Sequence, residues 1–118
     1  MGDISKHFNR SEFACRCGEC RAIAVDVELV KVLEDVREMF DKPVNITSSY
    51  RCTKHNAAVG GARTSMHLTG KAADIQVKDT APKDVQAYLL NKYPNQYGIG
   101  KYNTFTHIDV RDDKARWG

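Results

Sequence analysis

An α+β fold is predicted, with a small antiparallel sheet packed with two main helices. Three observations predict it. Two stretches carry apolar residues at three- and four-residue spacing, several short segments alternate polar and apolar residues, and 118 residues suffice for one domain with a modest core. The chain, residues 1–118, is read as a single domain, since no repeat, low-complexity run or long linker divides it. Hydrophobic residues make up 42% and charged residues 28%, the balance of a globular chain rather than a disordered one.

The elements follow in order. Asp26 to Phe40 is an amphipathic helix with Leu29, Val30, Leu33, Val36, Met39 and Phe40 as its core stripe, Asp26 as N-cap, and Pro43 limiting any extension. Val44 to Ser49 has strand character and delivers Tyr50 and Arg51 at its end. A short helical turn over Lys54 to Val59 stops at Gly60-Gly61. Ala73 to Val77 is a second strand with Asp74 and Gln76 on one face and Ala73, Ile75 and Val77 on the other.

Pro82 opens a second helix over Ala81 to Tyr93, with Val85, Leu89 and Tyr88 facing inward. Tyr97 to Tyr102 and Thr104 to Arg111 then form an antiparallel hairpin joined around Asn103. In its second strand His107, Asp109 and Arg111 share one face, and Thr106, Ile108 and Val110 the other. Pairing this strand with the Asp74 strand buries Ile75 and Val77 with Ile108 and Val110. It also brings Asp74 next to His107 on the opposite face.

His67, Asp74 and His107 are then the residues to watch, because two neutral imidazoles and a carboxylate can converge on one metal ion. Zinc catalysis uses such a set: three protein ligands, with water completing the tetrahedron. His67 and Asp74 lie in Ser65-Met66-His67-Leu68-Thr69-Gly70-Lys71-Ala72-Ala73-Asp74, whose small residues and glycine let the chain turn between ligands. His7 and His55 lack such a context and default to surface or packing roles.

The frame Ser-x-His-x-x-Gly-x-Ala-x-Asp, followed later by a histidine in a strand, resembles the M15 peptidases. These are zinc D-Ala-D-Ala carboxypeptidases and their phage-encoded L-alanyl-D-glutamate endopeptidase relatives. The resemblance takes in Ser48-Ser49-Tyr50-Arg51-Cys52 and Asn56 to Ala62, and so covers about residues 44 to 111. It implies a Hedgehog/DD-peptidase-like fold, His67, Asp74 and His107 as zinc ligands, and peptidoglycan stem peptides as substrate. It also implies that Arg51 and Ser65 face the substrate, the arginine through paired hydrogen bonds to a carboxylate. Ser48 and Gln76 are weaker cleft candidates.

One position departs from the family's commonest pattern. Many M15 enzymes carry an acidic base three residues before the last histidine, where this chain has Thr104. Asp109 is the nearest carboxylate with the right strand facing, about 6–7 Å along the strand from His107, and is the expected catalytic base. Its other reading is an orienting one, accepting a hydrogen bond from His107 or pairing with Arg111. Asp112 and Asp113 follow the strand and are expected to be exposed.

Cys15, Cys17 and Cys20 form Cys-x-Cys-x-x-Cys, and Cys52 stands beside Arg51. A second, structural zinc on the four sulfurs, a disulfide among them, and free thiols all stay open. Cysteine catalysis is not indicated, since none has a histidine and an orienting group in a recognisable pattern.

The expected function is therefore a zinc-dependent peptidase on peptidoglycan stem peptides, with a noncatalytic zinc-stabilised binding module as the alternative. Zinc would polarise the scissile carbonyl and acidify its water, with Asp109 carrying the proton. A net charge of +3 without a clustered Lys/Arg stripe argues against nucleic acid as partner. No apolar run marks a signal peptide or a membrane span. The expectation is a monomer made in the cytoplasm without a signal peptide, with no membrane partner, acting on the cell wall after release or host lysis.

Overall fold

Asp26 starts the first helix as an extended residue whose carboxylate accepts from the Glu28 N–H at 2.8 Å. The computed structural model describes residues 5–15, 25–58, 67, 70–111 and 114–117. Helix α1 runs Val27–Phe40 and ends at Asp41, a left-handed C-cap at φ 51° whose N–H returns to the Arg37 carbonyl. Its buried stripe is Leu29, Val30, Val32, Leu33 and Val36. Met39, expected in that stripe, is instead 59% exposed. Phe40, also expected in the stripe, does pack against the core, edge-on to Tyr88 with ring centroids 5.7 Å apart.

The strands follow their alternation. β1 is Val44–Ser48 and β2 Ala72–Val77, with the short helix α2, Thr53–Ala58, after β1. Helix α3 is Pro82–Lys92, with proline in its first turn and Val85, Gln86 and Leu89 buried. β3 is Gly98–Lys101, β4 Thr106–Asp109 and β5 Ala115–Trp117. The sheet order is β1-β2-β4-β3-β5. The first three pairings are antiparallel, and β5 joins β3 in parallel at the edge. That edge strand makes the sheet mixed where an antiparallel one was expected.

Register places the chemistry. Pairing of β2 with β4 sets Asp74 opposite His107, Ala73 opposite Ile108 and Ile75 opposite Thr106. Because facing residues share a side of the sheet, Ala73, Ile75, Val77, Ile99 and Ile108 all go into the core beneath α1 and α3. Asp74 and His107 stand on the other side. The helices are tied together at Asp35 of α1, which accepts from Tyr88 Oη at 2.9 Å, Tyr93 Oη at 3.0 Å and Lys92 Nζ at 2.9 Å. Among the described residues no helix is long and apolar enough to cross a membrane.

Candidate metal centre

Three short links bring His67 to the sheet. The Arg51 N–H donates to the His67 carbonyl at 2.9 Å, the Gly70 N–H reaches the same carbonyl at 3.4 Å, and His67 Nδ1 donates to the Ser49 carbonyl at 2.6 Å. A carbonyl only accepts, so Nδ1 carries the hydrogen and Nε2 is left with its lone pair. Nε2 lies 3.4 Å from Asp74 Oδ1. Ser49 is itself buried, and its hydroxyl donates to the Ala72 carbonyl at 2.9 Å, which fixes the backbone that holds the histidine.

The second imidazole is fixed the same way by a carboxylate. His107 Nε2 stands 2.7 Å from Asp109 Oδ2, while Nδ1 stands 2.9 Å from Asp74 Oδ1. The ligand atoms of His67, Asp74 and His107 all lie within 4.8 Å of one another, and all three residues are buried. Burial pushes the Asp74 carboxyl up, but hydrogen bonds and charge from His107 and His67 outweigh it and hold it at about 2. Burial likewise pushes the His107 pKa down, and Asp109 and Asp74 raise it above the ordinary imidazole value.

This donor set fits a zinc ion. Two imidazole nitrogens and one carboxylate oxygen, each imidazole locked by a hydrogen bond at its other nitrogen, make a three-ligand set of the catalytic kind.

Arg51 stands at the edge of the set. Its Nη2 donates to Asp74 Oδ2 at 3.5 Å, Nη1 to Asn56 Oδ1 at 3.3 Å, and Nε to the Ser48 hydroxyl at 3.2 Å. The guanidinium thus takes the Asp74 oxygen that does not face both histidines. Gln76 points elsewhere, donating to the Thr104 carbonyl at 2.8 Å. Ser65 lies outside the described residues, as do Cys17, Cys20, Asp112 and Asp113. Of the cysteines, the Cys52 N–H donates to Cys15 Sγ at 3.3 Å, which joins the Cys52 turn to the N-terminal segment.

Asp109 lies beside His107, on the same face of the strand. Its carboxylate is completely buried. Arg111 Nε reaches Oδ1 at 2.7 Å and Nη2 reaches Oδ2 at 2.8 Å, while Oδ2 also takes His107 Nε2. Burial pushes the carboxyl up, yet these partners hold it well below the usual carboxylate range. These contacts are those the orienting reading of Asp109 expects.

Sequence reasoning passed over Ser49, because its contribution is a backbone carbonyl. It also passed over Trp117, whose ring centroid lies 4.9 Å from that of His107. The available signal was Gly98-x-Gly100, two glycines spaced to share one face of a strand.

Two locked imidazoles and a buried carboxylate, two of them on facing strands and His67 brought in beside them, form a set that could hold a metal ion. The Peptidase M15 family model matches residues 6–109, and the chain belongs to that family. No curated protein matches the chain beside it.

Proposed function

We propose that this protein is a zinc-dependent peptidase that hydrolyses stem-peptide bonds of peptidoglycan, of the phage-lysin type or a related cell-wall enzyme. The observation that carries the reading is the His67–Asp74–His107 set, with each histidine fixed at its far nitrogen, in a chain of the M15 family. When bound, zinc supplies Lewis acidity toward the scissile carbonyl and toward water.

The chain's own residues do the rest. His67 offers Nε2, His107 offers Nδ1 and Asp74 offers Oδ1. Arg51 steadies the second Asp74 oxygen, and the N–H groups of its fork left over face a substrate carboxylate. Asp109, held by Arg111, keeps His107 in the tautomer that presents Nδ1. Ser65 is the proposed backbone contact to substrate. Peptidoglycan lies outside the membrane, so the enzyme meets it after release or host lysis, as a monomer.

A noncatalytic zinc-stabilised module is the second reading. It is favoured by Thr104 at the position where many relatives carry their base, and by the engagement of Asp109 with Arg111. Digestion of purified peptidoglycan with and without a chelator, with fragments read by mass spectrometry, separates the two. Released stem-peptide fragments that vanish with chelator support the peptidase; intact peptidoglycan at saturating zinc supports the module.

A further inference from the structure

The sheet face that carries His107 continues across β3 and β5. Gly98 and Gly100 stand there opposite Asp109 and His107. Neither has room for a side chain. A Cβ at Gly98 would run into the Asp109 carboxylate and lie 2.7 Å from Arg111 Nε. One at Gly100 would lie 2.5 Å from Trp117 Nε1 and 2.6 Å from Cε2. Parallel pairing sets Trp117 beside Gly100, so the indole lies over bare backbone.

Several contacts hold that ring in place. It meets His107 at 4.9 Å and 51° between planes, its Nε1–H donates to the Tyr102 hydroxyl at 3.0 Å, and the Arg111 guanidinium sits 5.2 Å from its centroid. Tyr102 in turn stacks on Phe105, with centroids 4.3 Å apart and planes 10° from parallel. None of the three aromatics belongs to the core cluster, which lies on the other face of the sheet. Trp117 and Phe105 stay partly exposed, and Tyr102 is 42% exposed. An indole whose one donor is already satisfied offers only carbon to a ligand.

The ligand set is therefore flanked by unlike groups. A cation, Arg51, lies beyond Asp74 toward β1, and an aromatic ledge lies beyond His107 toward β5.

We infer that Trp117, backed by Tyr102, is the specificity-determining residue of this site, and that it takes an uncharged, C–H-rich face of the substrate on the side of the metal ligands away from Arg51. The inference rests on the peptidase reading above. Within peptidoglycan that face is an alanine methyl or the ring face of the amino sugar bearing the stem peptide. Both present the same chemistry to an indole.

Trp117 is the sole tryptophan of the chain, so its emission reports on the ledge directly. The test compares parent, Trp117→Phe and Trp117→Ala with zinc on two soluble substrates, an alanine-containing stem peptide and the same peptide carried on its disaccharide. Substrate is expected to shift the parent's emission. Trp117→Ala is expected to raise KM about tenfold while kcat falls far less and zinc affinity holds, with Trp117→Phe recovering most of the loss. A loss on both substrates assigns the ledge to the methyl, and one confined to the disaccharide substrate assigns it to the sugar.

An unchanged KM with unchanged emission overturns the inference. So does loss of zinc affinity in Trp117→Ala, which would make the indole a support for His107 instead. If the parent cleaves neither substrate, the peptidase reading fails, and the emission shift on adding each compound still decides whether the ledge binds it. Should Trp117→Ala not fold, Tyr102→Ala and Trp117→Phe carry the same comparison.

Discussion

Asp109→Asn separates orientation from proton transfer at the metal centre. Asparagine keeps the shape of aspartate but has one acceptor oxygen and an N–H2 donor group. It cannot accept both the His107 Nε2 contact at 2.7 Å and the Arg111 fork at 2.7 and 2.8 Å, so one contact becomes donor against donor. Breaking a buried ion pair by removing one partner costs about 3–5 kcal/mol. Arg111 keeps 30% of its side chain exposed and can turn to water, which puts the stability loss at the low end, about 3 kcal/mol. With His107 held by a neutral amide in place of a carboxylate, zinc affinity is expected to fall roughly ten- to a hundredfold. The assay is zinc affinity by competition with a coloured chelator, alongside turnover of peptidoglycan fragments at rising zinc. Turnover is expected to recover as zinc saturates. A deficit of about a hundredfold that persists at saturating zinc, with affinity intact, would refute the orienting role and return Asp109 to the mechanism as the proton carrier.

Four further outcomes are expected. His67→Ala, Asp74→Ala and His107→Ala should each lose the tightly held ion or bind it far more weakly; metal content equal to the parent's, on folded protein, would remove that residue from the ligand set. Burial pushes Asp35 up, but Lys92, Tyr88 and Tyr93 outweigh it and lower its pKa below the ordinary value. The unfolded chain then binds the extra proton, so this contribution is present above about pH 4 and is lost as pH falls through the folded value. Asp35→Asn should accordingly cost about 1–2 kcal/mol in urea denaturation at pH 7 and progressively less as the pH is taken below about 4, and a pH-independent cost would contradict it. Gly100→Ala should displace Trp117 and shift its emission, because the new methyl would meet ring atoms at 2.5–2.9 Å; an unshifted spectrum on folded protein would show that the indole does not lie over that backbone. If Cys15, Cys17, Cys20 and Cys52 hold a structural zinc, metal analysis should find two ions per chain and Cys52→Ser should lose one together with stability. One ion with four freely alkylated thiols would reject both a structural metal and a disulfide.

Much of the site was legible because strand alternation has a short, strict period. Ala73 to Val77 and Thr106 to Val110 each divide polar from apolar residues by position, and that division predicts the pairing that puts Asp74 opposite His107. Asp26, Pro43 and Pro82 marked helix limits through backbone chemistry that residue identity reveals. Met39 was misplaced because helical spacing marks a face without fixing its width, and at the end of α1 Phe40 packs while Met39 stays exposed. The strand Ala115–Trp117 is too short to show any period, and the place of its Trp117 ring depends on the bare backbone of Gly100. Ser49 acts through a carbonyl that any residue possesses. The engagement of Asp109 needed the Arg111 fork and the space over Gly98, both properties of packing.

Asp74 and His107 face each other across two inner strands, whereas His67 comes from outside the sheet, secured through the Ser49 carbonyl and the Arg51 N–H. The two classes of ligand therefore differ in how easily they let go. Separating the sheet pair means tearing inner strands apart, an event on the scale of global unfolding, while His67 is held by packing and by hydrogen bonds beyond the end of β1. Exchange of a bound ion would be governed by the weaker tether. A metal held here would be released more readily at His67 than at the sheet pair, and the backbone of residues 49–51, which fixes His67 without touching the ion, would bear on how long it stays.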